Sequence, residues 1–80
     1  MTLQEYHHLG PQKLHEFRFY HGRIVAGLLK YHPDIGRDVF YLIETFNLGS
    51  WRQAKTREEK MKFMERVNIA TINFWQPIDI

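Results

Sequence analysis

Hydrophobic positions recur at spacings of three and four residues through two long stretches of the chain, which is the spacing of an amphipathic helix. The stripe of the first stretch comprises Leu14, Phe17, His21, Ile24, Leu28 and Tyr31. On one side of the second stretch lie Met61, Met64, Val67, Thr71, Phe74 and Trp75. The pattern therefore predicts two long helices, one from Pro11 to about Tyr31 and one from Arg57 to Trp75.

Capping and helix-breaking residues predict three shorter helices between and before these two. Thr2-Leu3-Gln4-Glu5 has the capping-box pattern, and Gly10-Pro11 stops the helix that it starts at about Leu9. A further helix is expected from Pro33 or Asp34 to about Asn47. Capping-box patterns at 50–53 and 56–59 predict a short helix over 51–55 and the start of the last long one.

These elements predict a single all-α domain over residues 1–80, a small bundle of about four helices, two of them long, with short capped connections. One alternative stays open, a strand over Val67–Phe74, where asparagine alternates with apolar residues. The unbroken helical period from Met61 favours the helix.

Composition narrows the class of protein without naming a partner. The chain is 44% hydrophobic and 15% aromatic, unlike a disordered segment. It has no cysteine, which excludes disulfides and thiolate chemistry and fits a reducing, intracellular setting. No run of about 20 apolar residues and no targeting signal is present, so no transmembrane segment is expected. The net charge is only +2.

Candidate catalytic and metal-binding residues are few. Glu5 and His8 have a Glu-x-x-His spacing, but the second copy that a di-iron site needs is missing. Ser50 is the sole serine and fits a helix cap better than a nucleophile. There is no glycine-rich phosphate loop. We therefore expect no enzyme activity, no cofactor and no metal site.

The predicted helices carry more large apolar side chains than a short bundle can enclose, which indicates a surface for a partner. The function expected is a non-enzymatic protein–protein interaction module, an accessory subunit of a larger assembly or a small adaptor or inhibitor. Homo-oligomerisation is another use of the same surface. The expected contacts are Phe19, Phe40, Trp51, Trp75, Ile78 and Ile80, with Arg18 and Arg52 at the rim.

The alternative is DNA binding, because residues 43–62 resemble a helix-turn-helix with its turn at Phe46–Gly49. The second helix would present Trp51, Arg52, Gln53 and Lys55 to the bases, and Arg57, Lys60 and Lys62 would contact phosphates. From Trp51 to Lys62 there are five cations and two anions. The low overall charge weighs against duplex binding.

Overall fold

The computed structural model describes residues 1–10, 12–34 and 37–78, and within them it shows a five-stranded antiparallel sheet with three short helices. The prediction of an all-α helical bundle is therefore wrong. The elements in chain order are α1 (Leu3–His7), β1 (His15–Phe19), β2 (Ile24–Asp34), β3 (Arg37–Glu44), α2 (Thr45–Gln53), α3 (Arg57–Met61), β4 (Glu65–Val67), a 3₁₀ turn (Ile69–Thr71) and β5 (Ile72–Pro77).

The helix predicted over 11–31 is instead the hairpin of β1 and β2. Along β1, His15, Phe17 and Phe19 are buried while the residues between them are not, which is the period of a strand. The turn that follows contains Gly22 at φ +97°, and the Gly22 N–H donates to the Phe19 carbonyl at 2.9 Å. The helical spacing arose because the two faces of the sheet each bury apolar residues: Phe17 and Tyr31 pack in one core, and Leu14 and Leu28 pack in the other.

The other predicted helices also differ from the elements that the structure shows. Residues 37–44 of the predicted third helix form β3, and α2 starts only at Thr45 and includes the residues predicted to cap a helix at 50–53. The last predicted helix is α3 followed by β4, the 3₁₀ turn and β5, so the strand alternative described part of it. The caps at Thr2 and Thr56 are confirmed, because each hydroxyl accepts the expected N–H, from Glu5 and Glu59, at 3.1 Å.

The strand order is β4-β3-β2-β1-β5, so β4 and β5 are the two edges of the sheet although they follow each other in the chain. In a flat sheet the edges would lie about 19 Å apart, at about 4.8 Å per strand. Even a fully extended chain from Val67 to Ile72 reaches at most about 18 Å, and the 3₁₀ turn shortens it further. The sheet must therefore curl into a partly closed barrel.

The concave face of the curled sheet encloses the larger hydrophobic core, made of Phe17, Phe19, Val25, Leu29, Phe40, Leu42 and Ile72. Helix α1 packs at one end of it through Tyr6, whose ring lies 5.1 Å from that of Phe40. The Tyr6 hydroxyl accepts a hydrogen bond from the Tyr31 N–H at 2.8 Å. The Met1 ammonium donates to the carbonyls of Ile69 and Ile72, at the connection between β4 and β5.

The convex face carries the second core, Leu28, Ile43 and Leu48, with Leu14, Trp51 and Met64 packed against it. Leu48 and Trp51 lie on α2, so this helix covers the convex face where β2 and β3 pair. Adjacent Leu28 and Leu29 are both buried because they point to opposite faces, and each face has its own core.

An ion-pair cluster joins the strands at the end of the barrel that lies opposite α1. The Arg23 guanidinium, just before β2, donates to both carboxylate oxygens of Glu65 on β4, and it lies 3.8 Å from the Glu44 carboxylate. The hydrogen bond from Arg23 holds the pKa of Glu65 below its usual value, and the same bond raises the pKa of Arg23. The cluster thus joins strands β2, β3 and β4 at their shared end.

Replacing Gly27 by alanine tests the close approach of β2 to β3. A Cβ there would lie 2.3 Å from the Ile43 carbonyl oxygen, which is backbone and cannot move aside easily. We expect Gly27→Ala to lower the free energy of unfolding by about 1–3 kcal/mol or more, measured by urea denaturation. The matched control is Gly49→Ala in α2, where no atom lies within 4 Å. It should stabilise by up to about 1 kcal/mol. Equal effects of the two substitutions would contradict the register.

Replacing Glu65 by glutamine tests the Arg23 cluster through its pH dependence. Because the folded state lowers the pKa of Glu65, its contribution is present above the unfolded pKa of about 4.3 and is lost as the pH falls through the folded value. We expect Glu65→Gln to cost at most about 1 kcal/mol at pH 7, since the pair is partly exposed. The difference from wild type should shrink below about pH 4. Glu58→Gln, an exposed carboxylate on α3, is the control, and a pH-independent deficit in Glu65→Gln would contradict this assignment.

Candidate functional site

A pocket of about 350 Å³ opens on the convex side, where α2 and α3 meet strand β2. We call it the Trp51 pocket. Its cationic lining consists of Lys30, Lys55, Arg57 and Lys60, together with His32. Its other lining residues are Trp51, Thr56, Met61 and Met64. The pocket therefore combines an apolar floor with a cationic wall.

The local sequence explains how these residues meet. Leu48 and Trp51 are three residues apart, so they lie on one face of α2 and pack together on the convex core. Helix α2 ends at Ala54, and the Thr56 hydroxyl starts α3 by accepting the Glu59 N–H. This short turn brings Lys60 back beneath Trp51.

Two ammonium groups contact the indole of Trp51. The Nζ of Lys60 lies 4.7 Å from the ring centroid and that of Lys30 lies 5.0 Å from it. Lys60 Nζ also donates to the Trp51 carbonyl at 2.9 Å. Cation–π attraction of about 0.5–1 kcal/mol at a partly exposed site offsets part of the repulsion between the two lysines. The indole thus holds one lysine from the sheet and one from a helix at the same place.

The indole Nε1–H of Trp51 is enclosed and has no hydrogen-bond acceptor among the described residues. Enclosing such a donor costs about 1–3 kcal/mol. The side chain is therefore kept in place by packing on Leu48 and by the two ammonium groups rather than by a hydrogen bond.

The charge distribution sets this pocket apart from the rest of the chain. The chain has eleven lysine and arginine residues and nine carboxylates; four of the cations line the Trp51 pocket, leaving seven elsewhere. No carboxylate is among the lining residues, and in the part of the chain that the structure describes none forms an ion pair with these four cations. Clustered charge of one sign in a concave site attracts ligands of the opposite sign.

A larger groove of about 560 Å³ lies between α1 and the β3–β4 edge, but its charges are mixed. Asp38 and Arg66 both line it, beside Leu3, Phe40 and Ile69. The Asp38 carboxylate also accepts a hydrogen bond from the Tyr31 hydroxyl, which raises the pKa of that tyrosine. This groove has no net charge to select a ligand, so the Trp51 pocket is the stronger candidate.

Four of the residues predicted to contact DNA line the Trp51 pocket: Trp51, Lys55, Arg57 and Lys60. The other three, Arg52, Gln53 and Lys62, are exposed outside it. The helix-turn-helix geometry itself is wrong. Its predicted turn at 46–49 lies inside α2, and α2 and α3 join at residues 54–56 instead. Helix α3 has only five residues.

Among the residues predicted to contact a protein partner, Phe19 and Phe40 are each only 5% exposed. They lie in the concave core, so the expectation that they stand outside the core is wrong. Trp75 and Ile78 are half-buried, and Ile80 lies outside the described residues. Arg18 and Arg52 are exposed, and Arg18 pairs with Glu16 and lies over the Phe74 ring.

Sequence reasoning missed Lys30, His32, Met61 and Met64 as members of this site. Lys30 and His32 follow Leu28 at intervals of two, which is the signal that they share its face of a strand. That signal was hidden because Leu28 also fits the helical stripe that ends at Tyr31.

No protein-family model, curated protein or solved structure matches the chain. Across residues 1–10, 12–34 and 37–78, no helix has the length and apolar character needed to cross a bilayer. Over the same ranges, no three His, Cys, Asp or Glu side chains are grouped so that they could hold a metal ion.

Proposed function

We propose that this protein is a non-enzymatic binding module that holds an anionic partner at the Trp51 pocket. The observation that carries the proposal is the convergence of four cationic side chains on one concave site, which no carboxylate among the described residues lines. An accessory subunit, adaptor or inhibitor remains the kind of protein that we propose. Its partner would be recognised by the positive charge of the pocket rather than by surplus apolar surface.

The chemistry of the lining supports binding of an anion. Lysine and arginine donate charge-assisted hydrogen bonds to phosphate or carboxylate oxygens, and these bonds are about twice as strong as neutral ones. Trp51, Met61 and Met64 offer apolar contact to the rest of the partner. The ammonium groups of Lys30 and Lys60 are held at the indole before any partner arrives, so less side-chain entropy is lost on binding.

The same lining offers little for catalysis, which favours a binding role. The Thr56 hydroxyl already accepts the Glu59 N–H as a helix cap. Among the residues that the structure describes, no carboxylate lines the pocket to act as a general base.

An NMR titration with three polyanions tests the proposal. Sodium triphosphate, a glutamate oligopeptide and an oligothymidylate are added to the ¹⁵N-labelled protein at low salt. We expect at least one of them to shift the amide signals of Lys30 and Lys60 and the indole N–H signal of Trp51. Lys30→Gln combined with Lys60→Gln should weaken that binding about tenfold or more, a loss of about 1.4 kcal/mol or more.

The matched control is Lys13→Gln combined with Lys62→Gln, which removes the same charge from exposed positions outside the pocket. It should change the affinity less than about twofold. Equal weakening by both pairs would show that net charge alone attracts the anion. Equal weakening, or no shift with any of the three polyanions, would contradict the proposal.

A further inference from the structure

Resting on the proposed function, we infer that the anionic partner is a single-stranded nucleic acid that lies across the convex face from β4 to the Trp51 pocket. The residues that carry this inference are a row of cations and aromatic rings. Lys30 on β2 pairs with Tyr41 on β3, and Tyr41 pairs with Arg66 on β4. Directly paired residues point to the same face of a sheet, so the three side chains form one line.

This line continues into the Trp51 pocket and makes a cationic track. Arg66 and Lys30 are two strands apart, about 10 Å between backbones. From Lys30 the track passes to the Trp51 indole, 5.0 Å away, and to Lys60, 4.7 Å from the same ring. Arg57 also lines the pocket. One small anion would contact only part of such a track, whereas a chain of regularly spaced charges matches its whole length.

Aromatic rings interleaved with the cations favour a nucleic acid over an acidic peptide. The His32 ring is exposed and meets the half-buried Tyr41 ring edge-on, with centroids 6.3 Å apart. Bases stack on such rings with about 1–3 kcal/mol each, and a glutamate chain has no planar group that does so. Trp51 has a different task, because its ring carries the two ammonium groups that face the phosphates.

The shape of the site favours one strand over a duplex. The bases of a duplex are stacked inside it and cannot reach His32 or Tyr41, whereas those of a single strand can turn toward them. Reading a duplex groove requires a projecting helix or ribbon. Helix α3 has five residues, and α2 is packed on the convex core through Leu48.

Three carboxylates near the track are engaged with other groups. Glu65, next to Arg66, accepts both hydrogen bonds from Arg23. Asp38, which shares the larger groove with Arg66, accepts the Tyr31 hydroxyl. Glu59, near the pocket, accepts the Lys55 N–H. In the part of the chain that the structure describes, none of the three forms an ion pair with Lys30, Lys60 or Arg66.

Fluorescence anisotropy with three labelled probes tests the inference on the full chain. The probes are an oligothymidylate of about twelve nucleotides, within the usual site size for one small domain, its duplex with oligoadenylate, and a glutamate peptide of matched charge. We expect the single strand to bind at least about fivefold more tightly than either other probe, since one stacked base contributes about 1 kcal/mol or more. With four phosphates neutralised, its affinity should fall about 50-fold between ~50 and ~200 mM salt.

Two variants separate phosphate contacts from stacking. Lys30→Gln combined with Arg66→Gln should weaken the single strand at least about tenfold and reduce the steepness of its salt dependence by about half. The control pair Lys13→Gln and Lys62→Gln should stay within about twofold. His32→Ala should weaken the single strand about fivefold or more and leave the glutamate peptide unchanged. Circular dichroism checks that each variant keeps the fold.

The outcomes distinguish this inference from the proposed function. Binding of the glutamate peptide as tight as that of the single strand, or tighter binding of the duplex, overturns the inference and leaves an anion-binding module. If His32→Ala weakens the single strand and the glutamate peptide equally, no base stacks on His32, and the inference that the partner is a nucleic acid is wrong. No binding by any probe overturns both.

Discussion

Strands β4 and β5 lie at opposite edges of the sheet, yet only residues 68–71 separate them in the chain. A flat sheet is impossible with so short a connection, and the rest of the structure follows from the curvature that it imposes. Curling gives the sheet an inside, which the seven residues of the larger core fill, and an outside, which must be covered separately. The curled sheet also has two open ends. Helix α1 packs on one of them, and the ion pairs of Arg23 join the strands at the other.

The candidate site is formed by the helices that cover the convex face of the sheet. Leu28 and Ile43 are apolar positions on the convex face, and α2 is inserted between β3 and β4 to pack on them. The chain must then return to the sheet to form β4, and the turn at 54–56 followed by α3 makes that return. This return carries four cations, Lys55, Arg57, Lys60 and Lys62, and two carboxylates, Glu58 and Glu59. The packing of α2 on the convex face thereby places Lys60, from a helix, and Lys30, from a strand, on the same indole.

Local signals in the sequence were reliable at two of the three predicted caps and failed at Ser50, which lies inside α2. The caps at Thr2 and Thr56 are present, and the cationic stretch 51–62 supplies three of the four cations of the Trp51 pocket. These features depend on neighbours within a few residues. They could be predicted because a hydroxyl accepts a nearby N–H in almost any fold.

The sheet could not be predicted by the same means, because its pairing is non-local. Phe17, Ile24 and Leu28 have helical spacing although they do not pack together: Phe17 lies in the concave core and Leu28 in the convex one, while Ile24 is exposed. In β2, both Leu28 and Leu29 are buried, which hides the period of two. Helix propensity differs by less than about 1 kcal/mol per residue for most side chains, so tertiary packing overrides it. Lys30 joins Trp51 only once β2 is known to be a strand.

The candidate site depends most directly on Lys30 and Lys60 meeting at the Trp51 ring, and proton NMR of the free protein measures this contact. Protons that lie over an indole face are shifted upfield by its ring current. We predict upfield-shifted ε-methylene signals for both lysines, with NOEs to the indole, and a return of both signals to ordinary positions in Trp51→Leu. Ordinary ε-methylene shifts for either lysine in the folded wild-type protein would contradict it.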